Sequence, residues 1–165
     1  MDTTPAQALL LLIAAFPISI WAAWSDMKYM RIPNPSVVAL TLGFLVLGPI
    51  ALPLDVFAWR LLNLVVVLVV GFLLSSAGKL GAGDAKFAAA AAPYIAPGDL
   101  FAFLYILAFG LLAAFATHRL FRALPAMRRA TADWHSWTVT RDFPLGFALG
   151  GILIFYLGLA ALQPA

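Results

Sequence analysis

Charged residues in this chain fall in clusters, and long apolar stretches separate them. Residues 3–25, 34–54, 61–78, 100–118 and 143–165 form five such stretches. A membrane helix needs about 20 mainly apolar residues, with a range of about 17–25, so each can span. A further stretch, 87–98, has 12 residues and carries Pro93 and Pro97. At about 1.5 Å per residue it covers about 18 Å. It crosses a bilayer if Asp84 and Lys86 are drawn toward the membrane; otherwise it stops partway. The pattern predicts an all-α, polytopic integral membrane helix bundle of about six transmembrane helices, the fourth irregular. Strand-like alternation and internal repeats are missing from the sequence, so residues 1–165 read as a single membrane-embedded domain.

Local signals place the helix boundaries. Asn34 is expected to cap the second helix, with Pro35 in its first turn. Gly81-Ala82-Gly83 breaks the chain before the fourth helix, and Asp84 falls at that helix's start. The run Ala88 to Ala92 is all alanine, which lets neighbouring helices approach closely and predicts a fourth helix inside the bundle. Leu124-Pro125 splits the long polar connection. The piece 119–129 mixes Leu, Phe and Met with Arg119, Arg122, Arg128 and Arg129, and is expected to lie along the membrane surface.

Composition agrees with the pattern. Of 165 residues, 64% are hydrophobic and 10% charged. Soluble domains run at about 45–50% apolar and about 25% charged, so a soluble fold is excluded, as is disorder. Ten basic against seven acidic residues leave a net charge of +3. With so few charges this is the basic face of a membrane protein rather than a nucleic-acid surface. Lys28, Arg31, Lys79, Lys86, Arg119, Arg122, Arg128, Arg129 and Arg141 fall in one set of connections, and Arg60 alone in the other. The positive-inside rule then puts the first set in the cytoplasm and both termini outside. The first apolar segment lacks a basic n-region, so it is expected to be a retained helix rather than a signal peptide. With no cysteine, disulfides, Cys-based zinc sites and thiol catalysis are excluded.

All seven acids are aspartates, and acids near membrane depth are candidates for function. Asp2, Asp55 and Asp99 are expected as solvated or capping residues on the outer face, and Asp133 and Asp142 as solvated residues of the charged connection. Asp26 and Asp84 differ. Asp26 ends the first helix in Ser25-Asp26-Met27-Lys28, and Asp84 follows the glycine break in Gly81-Ala82-Gly83-Asp84-Ala85-Lys86. Both fall at cytoplasmic helix ends. Two carboxylates at one depth can share a proton and activate water. Taken singly, Asp26 reads as a membrane-edge residue paired with Lys28 or Arg31, and Asp84 as an N-cap. His118 and His135 do not complete a metal-ligand set and are expected to be interfacial or solvated. Lys86 is expected as a snorkelling anchor, and Gly81 and Gly83 as positions where a Cβ would obstruct. Ile32, Pro33 and Asn34 are expected to fix the turn after Asp26.

The segment from Asp26 to Ile32-Pro33-Asn34 resembles the first signature of the type IV prepilin leader peptidases (aspartic peptidase family A24). Gly81-Ala82-Gly83-Asp84-Ala85-Lys86 is similar to their second, GxGDxK, and Phe143-Pro144-Leu145-Gly146 loosely resembles the Pro-x-Gly that opens their last helix. The resemblance implies a multi-pass inner-membrane aspartic endopeptidase without metal or other cofactor. It would cleave the short basic leader of type IV or Flp pilin and pseudopilin precursors at the cytoplasmic face, in pilus biogenesis and protein secretion. It implies Asp26 and Asp84 as catalytic, with Lys28, Ile32, Pro33, Asn34, Gly81, Gly83 and Lys86 as supporting motif residues. Larger members carry an N-terminal methyltransferase domain, often with paired CxxC motifs. None is expected here, so the chain looks like the short, peptidase-only branch of CpaA/TadV type.

Two alternatives remain open on the residues. One is a small transporter, or a proton or cation relay, using Asp26 and Asp84; the other is a GxGD intramembrane protease with different substrates. A structural assembly subunit would tolerate loss of both. From helix dipoles, Asp84 at a helix N-terminus is expected to be the ionised partner at rest and Asp26, at a helix C-terminus, the protonated one.

Overall fold

The computed structural model describes residues 1–139 and 142–164. Arg141, counted above among the basic residues, and Ala165, at the end of the last apolar stretch, lie outside the described residues. Seven helices follow one another: α1 (Pro5–Tyr29), α2 (Asn34–Ala51), α3 (Leu54–Ser76), α4 (Ala82–Ala91), α5 (Leu100–Ala123), α6 (Pro125–Ala130) and α7 (Leu145–Ala161). The protein is an all-α membrane helix bundle. Among the described residues, four elements are long and apolar enough to cross a membrane: α1, α2, α3, and α5 with its preceding turn. α7, with 17 residues, stands at the lower edge of the range for a span. α4 has ten residues and continues as 3₁₀ turns at Ala92–Tyr94 and Pro97–Asp99, so the fourth apolar segment is broken where Pro93 and Pro97 withhold backbone donors.

α1 starts on a capping box. The Thr4 hydroxyl accepts from the Gln7 N–H and the Gln7 side chain accepts from the Thr4 N–H, with Pro5 in the first turn. The helix ends at Met30, whose φ of 53° is the one positive value among described residues other than glycine. There the chain leaves the helix, one turn beyond Asp26, whose carbonyl accepts the Met30 N–H. α1 packs chiefly on α7 and α2, α3 on α4, and α5 on α7. The α1–α7 crossing is close because Gly150 sits against the Ser19 carbonyl: a Cβ there would come within 2.8 Å of that oxygen. Phe44 and Phe57 stack at 5.5 Å, Phe44 meets Tyr94 at 5.2 Å, and the Tyr94 hydroxyl donates to the Leu40 carbonyl at 2.8 Å. α4 is buried through Ala85, Phe87 and Ala89 to Ala91, inside the bundle as its alanine run predicts.

α5 runs on to Ala123 before Leu124-Pro125 breaks it. α6 then has no buried residue.

The end of the bundle away from Asp26 departs from expectation. Asp99 is buried, not solvated: its Oδ2 accepts from the Tyr156 hydroxyl at 2.7 Å and its Oδ1 from the Asp2 N–H at 2.7 Å. Tyr156 also accepts from the Ala96 N–H at 3.1 Å and lies 3.1 Å from the Thr3 hydroxyl. Arg60 is buried beside them and donates to Thr3 Oγ1 and the Tyr94 carbonyl. The broken crossing exposes backbone groups inside the protein, and these side chains satisfy them. Arg60 is therefore an internal hydrogen-bond donor. Asp55 is exposed in the first turn of α3, as expected. Replacing Tyr156 by Phe leaves the Ala96 N–H without its acceptor and Asp99 Oδ2 without its donor, at a cost of about 1–3 kcal/mol. The expected outcome is a lower midpoint of thermal unfolding in detergent with the fold retained.

Candidate active site

The last turn of α1 and the first turn of α4 meet at one end of the bundle, and each contributes an aspartate to a shared polar cleft. Asp26 and Asp84 both line a space of about 560 Å³ on the side of Lys79, His135, Asp142 and Phe143. Both also line one of about 300 Å³ on the side of Arg31, Ile32, Asn34 and Lys86. Asp26 is 5% exposed, and Asp84 is partly exposed.

Asp26 forms no ion pair with Lys28 or Arg31. Lys28 turns away from the cleft to Asp133, with Nζ 2.7 Å from Oδ2, and lies over the rings of Trp24 and Tyr29. Asp133 is exposed, as expected, and also pairs with α1, and the Lys28 ammonium holds its carboxyl below the usual value. This pair ties the polar connection after α6 to the end of α1. What Asp26 does contact is the start of α7: its Oδ2 accepts the Gly146 N–H at 2.7 Å. The dipole expectation weighed only the C-terminus of α1. The structure adds the N-terminus of α7, and the end that Asp26 hydrogen-bonds is the one that favours an anion.

Ile32 joins the motifs. It is 6% exposed and packs against Gly83 of α4 and Gly146 of α7. A Cβ on Gly83 would meet Ile32 at an ordinary 3.6 Å. One on Gly146 would lie 2.7 Å from the Ile32 side chain and 3.0 Å from Asp26 Oδ2. The turn is held further by Ser25, whose hydroxyl donates to the Arg31 carbonyl at 2.9 Å. Pro33, not Asn34, takes the cap position of α2, and its carbonyl accepts from the Ser36 hydroxyl. Asn34 is instead the first residue of α2, and its Oδ1 accepts from Lys86 Nζ at 3.4 Å. Lys86 thus links the two aspartate segments as well as lying at the bundle's polar end. Gly81 caps α4 with its backbone, and a Cβ there would run into the Asp84 carboxylate.

The two histidines separate. His118 is buried, stacked on Trp137 at 5.2 Å and edge-on to Phe143 at 5.7 Å, so it is neither interfacial nor solvated. His135 is exposed on the cleft wall. Among the described residues, no three His or Asp side chains gather as a metal-ligand set. The contact that sequence reasoning left out is Gly146. Its Pro144-x-Gly146 pattern was visible, but the 120-residue separation from Asp26 hides the hydrogen bond.

A bundle of membrane helices with two aspartates from different helices facing one polar cleft defines a class, membrane proteins with a carboxylate-pair site. The type IV leader peptidase family model matches residues 11–118, which is well over half of the chain and includes both aspartate segments. The chain belongs to the type IV leader peptidase family, a family of aspartic peptidases. Among curated proteins and solved structures, none matches the chain.

Proposed function

We propose that this protein is a prepilin peptidase. It would be an aspartic endopeptidase that removes the short basic leader of a type IV or Flp pilin-like precursor at the cytoplasmic face of the inner membrane. The observation that carries this reading is the convergence of Asp26 and Asp84 on one cleft. In the mechanism, one carboxylate is ionised and takes a proton from water, while the other is protonated and donates to the scissile carbonyl. Asp26 is the base, since an α7 N–H already supports its anion; Asp84 is the acid. Proton transfer from the water to Asp26 accompanies attack on the carbonyl carbon. The tetrahedral intermediate then collapses: its nitrogen takes the proton that Asp26 gained from water, Asp84 recovers a proton from a hydroxyl of the gem-diol, and the amide bond breaks. The pair works as one titrating unit. A cation relay needs a polar path across the bundle, and the core between the two polar ends is apolar, through Leu11, Leu40, Phe44 and Phe87.

Co-expression with pilin precursors, followed by mass measurement of their N-termini, tests the reading. The expected result is loss of the leader mass in the presence of the wild-type chain. Precursors that keep their leaders would refute it. For the orientation, Asp55→Cys should be labelled by an impermeant thiol reagent in intact cells and Ala130→Cys should not. The reverse pattern would invert the topology.

A further inference from the structure

The connection from α6 to α7 supplies one wall of the aspartate cleft, through His135, Val139, Asp142 and Phe143. Its residues 131–139 form a strap pinned to two helices. Near one end Asp133 pairs with Lys28 of α1, and at the other the Val139 carbonyl accepts from Arg122 of α5 at 3.2 Å. In the middle Trp137 stacks on His118 of α5. Within the strap only Ser136 and Trp137 are buried. A segment with so few buried contacts shifts at low cost.

The middle pin leaves polar atoms unsatisfied. The His118 ring is 2% exposed, stacked on Trp137 at 5.2 Å and edge-on to Phe143 at 5.7 Å. Neither of its ring nitrogens has a hydrogen-bond partner. Nor has the hydroxyl of Ser136, the buried residue beside Trp137. The Ser136 backbone neighbours the same ring without closing a hydrogen bond to it. Among the described residues five buried side-chain atoms lack a partner, and three of them fall in this joint. The other two are single atoms, on Ser19 and Arg60, with no second unpartnered side chain beside them to pair with. Buried polar groups are normally satisfied, and a phenyl ring with a methyl group would serve a purely apolar joint better. The imidazole offers one N–H and one bare nitrogen, and a hydroxyl takes either role. A small slide of the strap along α5 pairs them. A peptide in the cleft supplies the push, because Val139 and Phe143 line the cleft and Phe143 packs on His118.

We propose that His118 and Ser136 are positioning residues of a closed state: a peptide entering the cleft shifts the strap, the His118 imidazole and the Ser136 hydroxyl then hydrogen-bond to each other, and the cleft wall is held against the substrate. This rests on the peptidase reading above. The bond is made in the bound complex and in the transition state alike, so its loss falls on KM and spares kcat. It is not made in the free protein, so its loss does not lower stability.

The test uses the full chain in detergent with a Flp-type pilin precursor. Ser136→Ala and His118→Phe should each raise KM about tenfold, the worth of one hydrogen bond, with kcat kept. Their thermal midpoints should be unchanged or higher, and the double variant should be no worse than either single one. Ser19→Ala removes an equally unpartnered buried hydroxyl from α1 and should change neither KM nor kcat. Spin labels at Thr138→Cys and Ser76→Cys, both exposed, read the strap in an Asp26→Asn background that keeps precursor uncleaved. Precursor should change the distance between them, and with Ser136→Ala the same change should need about tenfold more precursor. An unchanged KM in either variant, a raised KM that comes with a lowered thermal midpoint in Ser136→Ala, or a label distance that precursor does not move overturns the closed state and leaves the peptidase standing. Should His118→Phe fail to fold, Ser136→Ala decides alone. A wild-type chain that cleaves no precursor overturns the peptidase reading, and the closed state with it.

Discussion

Asp26→Asn and Asp84→Asn are each expected to abolish precursor cleavage, with losses in kcat of about 10²–10⁴-fold or more. The double variant should be no worse than either single one, because a base without its acid completes no step. Asn keeps the shape of Asp and can still accept the Gly146 N–H, so both proteins should insert and fold. Asp-to-Glu changes should also fail or nearly fail, since an added methylene moves the carboxylate by about 1 Å and such misplacement can cost about 10²-fold. Controls follow from position. Asp55 is exposed in the first turn of α3, away from the cleft, and Asp55→Asn should keep full activity. Asp142 lines the cleft and is a poorer control. Because two coupled acids must hold one proton between them, kcat/KM should fall toward both acid and alkaline pH. The assay is cleavage of a purified pilin precursor by folded variants in detergent. Substantial turnover by either Asn variant would remove that residue from the mechanism.

The helices and the aspartate pair were legible because both leave local marks. Apolar run length reports membrane helices directly, and the breaks at residues 30–33 and 77–81 mark where the helices carrying Asp26 and Asp84 stop or start; Gly81 caps the second, and Ala82 and Gly83 already belong to α4. Long-range pairing leaves no such mark. The sequence offers Lys28 two residues from Asp26, but the structure gives Lys28 to Asp133 and Asp26 to Gly146. Asp99 misled for a related reason. Near a turn, an acid reads as solvated. Here a proline-broken segment leaves backbone groups that buried side chains must satisfy, so Asp99 is drawn inside beside Arg60. His118 likewise read as interfacial, because the aromatic residues that cover it, Trp137 and Phe143, come from beyond the next helix.

Gly146 concentrates these long-range contacts in one residue, and Gly146→Val should cost nearly as much activity as loss of a carboxylate. Any Cβ there lies 2.7 Å from the Ile32 side chain and 3.0 Å from Asp26 Oδ2, so Ile32 or the start of α7 must move. Ile32 is buried against Gly83 and cannot withdraw freely. Shifting α7 lengthens the 2.7 Å hydrogen bond that orients Asp26. A displacement of about 1 Å at a reacting group can cost about 10²-fold in rate. The loss should fall on kcat, with KM for the precursor little changed, because Gly146 acts by orienting Asp26. Gly146→Ala should be milder than Val in proportion to the smaller overlap, and Ile32→Val, which shortens the opposing side chain, should restore part of the Gly146→Ala rate. A double variant no faster than Gly146→Ala alone would show that the Ile32 contact is not what places Asp26. Full activity in Gly146→Val would show that the Gly146 N–H is not needed to orient it.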